Sequence, residues 1–266
     1  MTQKCNIYLV AGGRFHDIQF ARLELLKLLA ERDESYVEVG ADFSNADQIL
    51  ASDFLVTYTC DVRPTLAQQA TLETFLEQGG RWFALHGTNS LLDFDTTNGP
   101  IEAFGVTIPG VPYAPNLAPE FMTMLGTRFV THPPIQPFRV LVTQPDHPLV
   151  AGIEDFTTED EPYCCDVIGN IDILLESRYS GENMSDLPIG WDNPERVHPQ
   201  MYLRKVDRGE ILYLTLGHCC GRFDMQPIMK ECDIVKCSWE LPVYYELLRR
   251  GISWGISGST CEVAAH

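Results

Sequence analysis

The sequence predicts an α/β fold built on a mostly parallel sheet with helices on both faces, and three observations predict it. Short apolar runs of strand length at Ile7 to Val10, Phe54 to Thr57 and Trp82 to Leu85 are separated by stretches with helical spacing of apolar residues. The runs are continuous and do not alternate with polar residues, as strands covered on both faces require. Glycines and histidines follow two of these runs, at Gly12-Gly13 with His16 and at His86-Gly87, which places them over the carboxyl edge where open α/β sheets bind ligands.

In chain order, Ile7 to Val10 is a strand, and Ile18, Ala21, Leu25, Leu28 and Leu29 mark one face of the helix after it. Asp17 stands where a helix-capping residue belongs. Tyr36 to Val39 and Phe54 to Thr57 carry the β-branched and aromatic residues that strands favour. Ser44-Asn45-Ala46-Asp47 between them is loop or short helix. Pro64 to Gln78 is expected to be helical, with Pro64 in its first turn and Gly79-Gly80 as its stop. Trp82 to Leu85 is a buried strand, and His86-Gly87-Thr88-Asn89-Ser90 forms a sharp turn into a helix, similar to a nucleophile elbow that carries histidine. Asp93 to Phe138 is rich in proline and poor in periodicity, a loop-rich insertion of the kind that covers active sites. Phe138 to Thr143, Ile171 to Glu176 and Pro188 to Trp191 are further strands, and Met201 to Leu203 pairs with Ile211 to Leu216 as a hairpin. Val243 to Trp254 is the closing helix. One domain over residues 1–256 is expected, with 257–266 as a loose tail.

Composition limits the function classes. A hydrophobic content of 45% with 21% charged residues is that of a globular chain, not a disordered one. The net charge of −18 argues against nucleic acid and anionic membranes, because phosphate contact depends on clustered Lys and Arg. The amino terminus lacks an apolar signal segment and no run approaches about 18 apolar residues. A cytoplasmic location is therefore expected. Nine scattered cysteines show no zinc-ribbon spacing and are expected to be reduced thiols. Cys232 and Cys237 are the nearest approach to a ligand pair.

The chemistry concentrates at histidines and acids. His16, His86 and His218 each stand beside glycine at a strand end, and Glu161 and Tyr163 flank Pro162 just before the apolar Cys164-Cys165. Glu161 is the candidate base, its pKa expected to be raised by Glu159, Asp160 and Asp166. His86 and His218 are candidate acids or oxyanion-stabilising partners, Tyr163 a hydrogen-bond donor, and Asp17 the group that orients His16. Cys60 is a weaker nucleophile candidate, since Asp61 opposes thiolate formation. His132-Pro133-Pro134 is a rigid turn that holds a further histidine.

Gly13-Arg14-Phe15-His16-Asp17, Gly80 to Gly87, Asp146-His147-Pro148, Asp160-Glu161-Pro162-Tyr163, Leu187 to Trp191, Leu216-Gly217-His218 and Arg250 to Trp254 occur in this order. In that order and spacing the chain resembles the ThuA-like trehalose-utilisation family over roughly residues 7 to 255. The resemblance implies a class I glutamine amidotransferase-like, flavodoxin-like fold, a setting in sugar catabolism, and 3-keto sugars as neighbouring chemistry. His86 occupies the elbow where amidotransferases carry cysteine, so glutamine hydrolysis by a thiolate is not expected. Three functions follow as expectations. The first is acid–base proton transfer on a sugar or oxidised glycoside, as isomerisation or β-elimination. The second is a divalent-metal hydrolase or isomerase that uses the same residues as ligands for zinc or manganese, although no cofactor is obligatory. The third is a non-catalytic sugar-binding or regulatory module, for which Tyr113, Trp191 and Phe223 could stack on a ring. The expected partner is a small carbohydrate, with a homo-oligomer allowed.

Overall fold

The computed structural model describes residues 4–103, 105–178 and 196–258. The parallel half of the fold is built first along the chain, from β1 (Cys5–Gly13), α1 (Ile18–Leu29), β2 (Ser35–Gly40), α2 (Ala46–Ala51), β3 (Phe54–Cys60), α3 (Leu66–Glu77) and β4 (Arg81–Leu85). The insertion follows as β5 (Asp93–Asp95), β6 (Ile101–Ala103), β7 (Val106–Ile108), β8 (Val111–Tyr113), α4 (Pro119–Leu125) and β9 (Thr127–Thr131). The chain then returns through β10 (Gln136–Val142), β11 (Phe156–Asp160), β12 (Cys164–Val167), β13 (Asp172–Arg178), β14 (Val197–Val206), β15 (Gly209–Leu214) and α5 (Pro242–Ser257).

Nine strands form one mixed sheet in the order β11-β10-β13-β14-β15-β4-β3-β1-β2. From β2 to β15 every neighbouring pair is parallel, and from β15 outward to β11 every pair is antiparallel. The hairpin of β14 and β15 makes the change, because its second arm lies parallel to β4. Strand alternation sorts the core onto two faces. Ile7, Leu9 and Ala11 of β1 join Phe83, Leu85 and the apolar faces of α1 and α5. Tyr8 and Val10 join Leu55, Trp82 and Ala84 beneath Ile49 of α2 and Leu72, Phe75 and Leu76 of α3. Helices therefore cover both faces, which is why the runs read from the sequence carry no polar alternation.

Several elements differ from the sequence reading. Pro64 lies before α3, not in its first turn. Thr65 caps that helix through a reciprocal pair of hydrogen bonds with Gln68, which leaves the proline outside the cap. The turn after His86 is a single 3-10 turn over His86–Asn89 and not the start of an α-helix. The insertion is more regular than a loop. It holds the pairs β5/β8 and β6/β7, and α4 buries Phe121, Met122 and Leu125 fully against Phe43 and Trp82. At seven residues α4 is too short to display a helical repeat, and its Pro119 looks like loop in a sequence although proline is welcome in a first turn. Strand β11 was hidden by its acids. The expected strand at Pro188 to Trp191, and the tail beyond residue 258, lie outside the described residues. Among the described residues no helix is long and apolar enough to cross a membrane.

Candidate active site

Three turns after parallel strands bring three imidazoles together. At the end of β1, Gly13 has φ +108, and a Cβ there would lie 1.9 Å from the carbonyl oxygen of Cys60, so the chain crosses close over the end of β3. Phe15, at φ +67, turns the backbone again and delivers His16. After β4, His86 itself has φ +46 and opens the 3-10 turn. For a non-glycine residue such a backbone costs of order 1–3 kcal/mol and persists only where neighbours enforce it. Tyr213 enforces it by donating to the His86 carbonyl at 2.7 Å and accepting from the Asn89 N–H at 2.8 Å, while Thr88 donates to the Leu85 carbonyl. After β15, the carbonyl of Gly217 accepts from Tyr58 and from the Trp239 indole, each at 2.8 Å.

Asp160 fixes the third turn. Its carboxylate is fully buried and accepts from the N–H groups of Gly217, His218, Ser238 and Glu161 and from the Ser238 hydroxyl. It thereby orients both His218 and Glu161. Sequence reasoning counted Asp160 only as one member of an acidic run. The missed signal was its position one residue before the candidate base, at the end of a strand.

The side chains of His16, His86, Glu161 and His218 offer ligand atoms that all lie within 4.8 Å of one another, and all four residues are buried. His86 donates from Nδ1 to the Thr215 carbonyl at 2.7 Å, and His16 Nδ1 faces the Arg14 carbonyl at 3.2 Å. Their Nε2 atoms meet at 2.8 Å. Glu161 Oε2 stands 3.6 Å from His86 Nε2, and Oε1 stands 3.1 Å from His218 Nδ1 and 3.5 Å from His132 Nε2. The His218 contact is close but misaligned, so Nδ1 is buried without a hydrogen bond. The Tyr163 hydroxyl lies 3.2 Å from His86 Nε2.

The electrostatics correct one expectation. Burial alone would push Glu161 up, but His132 and His218 outweigh it and hold the carboxyl well below its ordinary range. The neighbouring acids do not raise it, because Asp160 turns away toward backbone amides. Burial lowers the His218 pKa, yet Glu161 beside it gives a net rise. Burial, with His86 and His218 nearby, keeps His16 well below 6.5. Tyr163 is held far above 10 by burial and by Glu161, so it stays a proton donor. Burial, then Glu161 and Asp61, push the Cys60 thiol up, which argues against a nucleophilic role.

Above the cluster opens a cavity of ≈ 210 Å³ lined by His16, Glu161, Tyr163 and His132 on its polar side and by Phe15, Tyr113, Phe129, Met225 and Ile228 on its apolar side. The insertion supplies much of the wall through Tyr113, Phe129 and His132, so its covering role holds although its loop character does not. Asp17 does not orient His16. Oδ1 caps α1 at the Phe20 N–H and Oδ2 pairs with Lys236 at 2.6 Å. Of the expected stacking aromatics, Tyr113 lines the cavity, Phe223 is exposed and does not, and Trp191 lies outside the described residues. Cys232 approaches Cys220, with the sulfurs 2.8 Å apart, and the His/Glu cluster is the one multi-ligand group found among the described residues. Such an arrangement can hold a divalent cation or pass protons between a carboxylate and imidazoles.

Strand order β2-β1-β3-β4-β15 with ligand groups at the carboxyl edge defines a flavodoxin-like, glutamine amidotransferase-like α/β protein with histidine at the elbow. The family model described as trehalose utilisation, ThuA, matches residues 105–232. A ThuA-like protein of Parabacteroides merdae is similar at 16% identity and a TM-score of 0.62, with 97% of this chain and 91% of that chain covered. Another from Bacteroides uniformis is similar at 19% identity and a TM-score of 0.64, with 97% and 93% covered. Residues 105–232 thus resemble the ThuA family, and the two structures show that the chain as a whole shares their fold. No curated protein matches the sequence. The matched segment contains His132, Asp160, Glu161, Tyr163 and His218, whereas His16 and His86 come from the parallel half before it.

Proposed function

We propose that this protein is an enzyme of carbohydrate catabolism that moves a proton at a carbon beside the ketone of an oxidised, 3-keto glycoside, as an isomerase or a lyase. The observation that carries the reading is Glu161, an ionised carboxylate held at the cavity floor between His132 and His218. A ketone acidifies the neighbouring C–H bond. Glu161 takes that proton, and His132, half-buried on the cavity wall, exchanges it with solvent. Tyr163 donates a hydrogen bond to the developing enolate oxygen. In an isomerisation the proton goes to the former carbonyl carbon while the proton of the neighbouring hydroxyl passes to the enolate oxygen, which shifts the ketone by one carbon; in an elimination it goes to the departing glycosidic oxygen as the C–O bond breaks. The cavity is smaller than the ~300–1,000 Å³ of sites for drug-sized ligands, so it suits one sugar ring, with the apolar face of the ring against Phe129 and Tyr113.

The test is incubation with a panel of 3-keto disaccharides in D₂O followed by NMR. The expected result is an isomer that carries deuterium at a carbon flanking the ketone, or an unsaturated keto sugar with the freed alcohol. Glu161→Gln should slow this by a factor of ~10² to 10⁴. Wild-type protein that gives neither deuterium exchange nor eliminated product on any member of the panel would overturn the reaction, and Glu161→Gln at the wild-type rate would move the base elsewhere.

A further inference from the structure

We infer that His16, His86, His218 and Glu161 form a site for one divalent transition cation of zinc or manganese type. The inference concerns the same site as the proposed reaction and rests on that reading only for what the cation does there.

The argument starts from tautomers. A backbone carbonyl only accepts, so the contacts of His86 Nδ1 with Thr215 and of His16 Nδ1 with Arg14 place the ring protons on Nδ1. When both rings are neutral each Nε2 presents a lone pair, the two face each other at 2.8 Å, and the Tyr163 hydroxyl lies 3.2 Å from that of His86. Two lone pairs at that separation repel unless a shared proton or a metal cation lies between them. The same pattern, an imidazole that donates its far N–H to a carbonyl and turns its near nitrogen inward, is how proteins orient histidine toward a metal. Two nitrogen donors ~2.1 Å from a shared ion stand about 3.0 Å apart at right angles and about 3.4 Å apart at the tetrahedral angle, so the observed pair would open by a few tenths of an ångström on binding.

The other two ligands are equally poised. His218 Nδ1 is buried without a hydrogen bond and faces the cluster. Glu161 supplies the negative charge, and its two oxygens divide the work, since Oε2 faces His86 while Oε1 faces His218 and His132. One oxygen on the cation leaves the other for the His132 relay. The widest ligand pair, at up to 4.8 Å, would close by about half an ångström to meet the ~4.2 Å that opposite ligands of one ion allow. Three imidazoles and a carboxylate suit zinc or manganese better than the all-oxygen sets of calcium or magnesium. His16 and Glu161 both line the cavity, so the remaining coordination position opens toward the substrate. The cation would supply the positive charge that polarises a substrate oxygen.

Metal analysis of protein purified without a histidine tag should find close to one zinc or manganese per chain. After stripping with a chelator, Zn²⁺ or Mn²⁺ should rebind in calorimetry with a stoichiometry near one. Co²⁺ should give visible ligand-field bands without the near-ultraviolet charge transfer of thiolate ligation, a measurement that needs no variant. His16→Ala and His86→Asn should each lose binding by at least tenfold, whereas Cys220→Ser and Cys232→Ser should retain it. Circular dichroism verifies that each variant folds. Stripped wild type that takes up no cation, or uptake that the cysteine variants abolish and the histidine variants keep, would overturn the site. The two readings fail separately. A cation bound at these residues without exchange or elimination on any keto sugar sinks the reaction and leaves the site, and undiminished turnover by stripped protein that rebinds nothing does the reverse.

Discussion

Asp160 shows how one side chain, without touching the cavity, decides where two others stand. A buried carboxylate is tolerated because backbone amides and the Ser238 hydroxyl satisfy it, and those amides belong to Gly217, His218 and Glu161. Removing it leaves several buried donors without partners, each at about 1–3 kcal/mol. Asp160→Ala is therefore expected to lower unfolding stability by roughly 3 kcal/mol or more in urea titrations. In whatever fraction remains folded, affinity for Zn²⁺ should also fall, because His218 and Glu161 lose their common anchor. Loss of stability with unchanged cation affinity would confine Asp160 to a structural role.

At the level of elements, the insertion is part of the core as well as a wall of the cavity. Phe121 of α4 is fully buried, with its ring centroid 5.7 Å from that of Phe43 and 6.0 Å from that of Trp82. Trp82 lies on β4, the strand that ends at His86. A detachable lid would tolerate truncation, but Phe121→Ala should cost about 3–5 kcal/mol, the range for a buried phenylalanine. Thermal unfolding would report it, and a loss below about 1 kcal/mol would mean that α4 does not share the core. The elbow is held by similar long-range ties. Tyr213 of β15 clamps the His86 turn from a neighbouring strand, so the left-handed backbone at His86 depends on a residue far away in sequence.

For the whole molecule, acid sensitivity has an identifiable contribution away from the cluster. His198 of β14 is buried, and burial, with Arg196 nearby, lowers its pKa from 6.5 to about 4. The unfolded chain takes up a proton near pH 6.5 that the folded chain refuses until about pH 4. Stability is therefore complete above pH 6.5 and declines as pH falls toward 4, with no further loss from this group below that. At 1.36 kcal/mol per pH unit, the interval from 6.5 to about 4 corresponds to about 3 kcal/mol. Urea unfolding at pH 7.5 and 4.5 should show a smaller acid loss in His198→Gln than in wild type. An identical loss in the two proteins would assign the sensitivity to other groups.

The parallel half of the fold was legible because its strands are short apolar runs and α1 and α3 show helical spacing, signals that each segment carries alone. The histidines at strand ends were legible for the same reason, since glycine-rich turns after strands mark the functional edge. What remained hidden depends on contacts between distant segments. The pairing of Asp17 with Lys236, the anchoring of His218 by Asp160, and the strand at Phe156–Asp160 are products of packing, whereas the local cap of α1 by Asp17 was legible. The charge state of Glu161 shows the difference most clearly. Its sequence neighbours are acids that would raise its pKa, but its neighbours in space are imidazoles that lower it. Sequence determined which residue types stand at the sheet's edge. Only the tertiary structure decided which of them face one another, because electrostatic interaction follows distance through space and not separation along the chain.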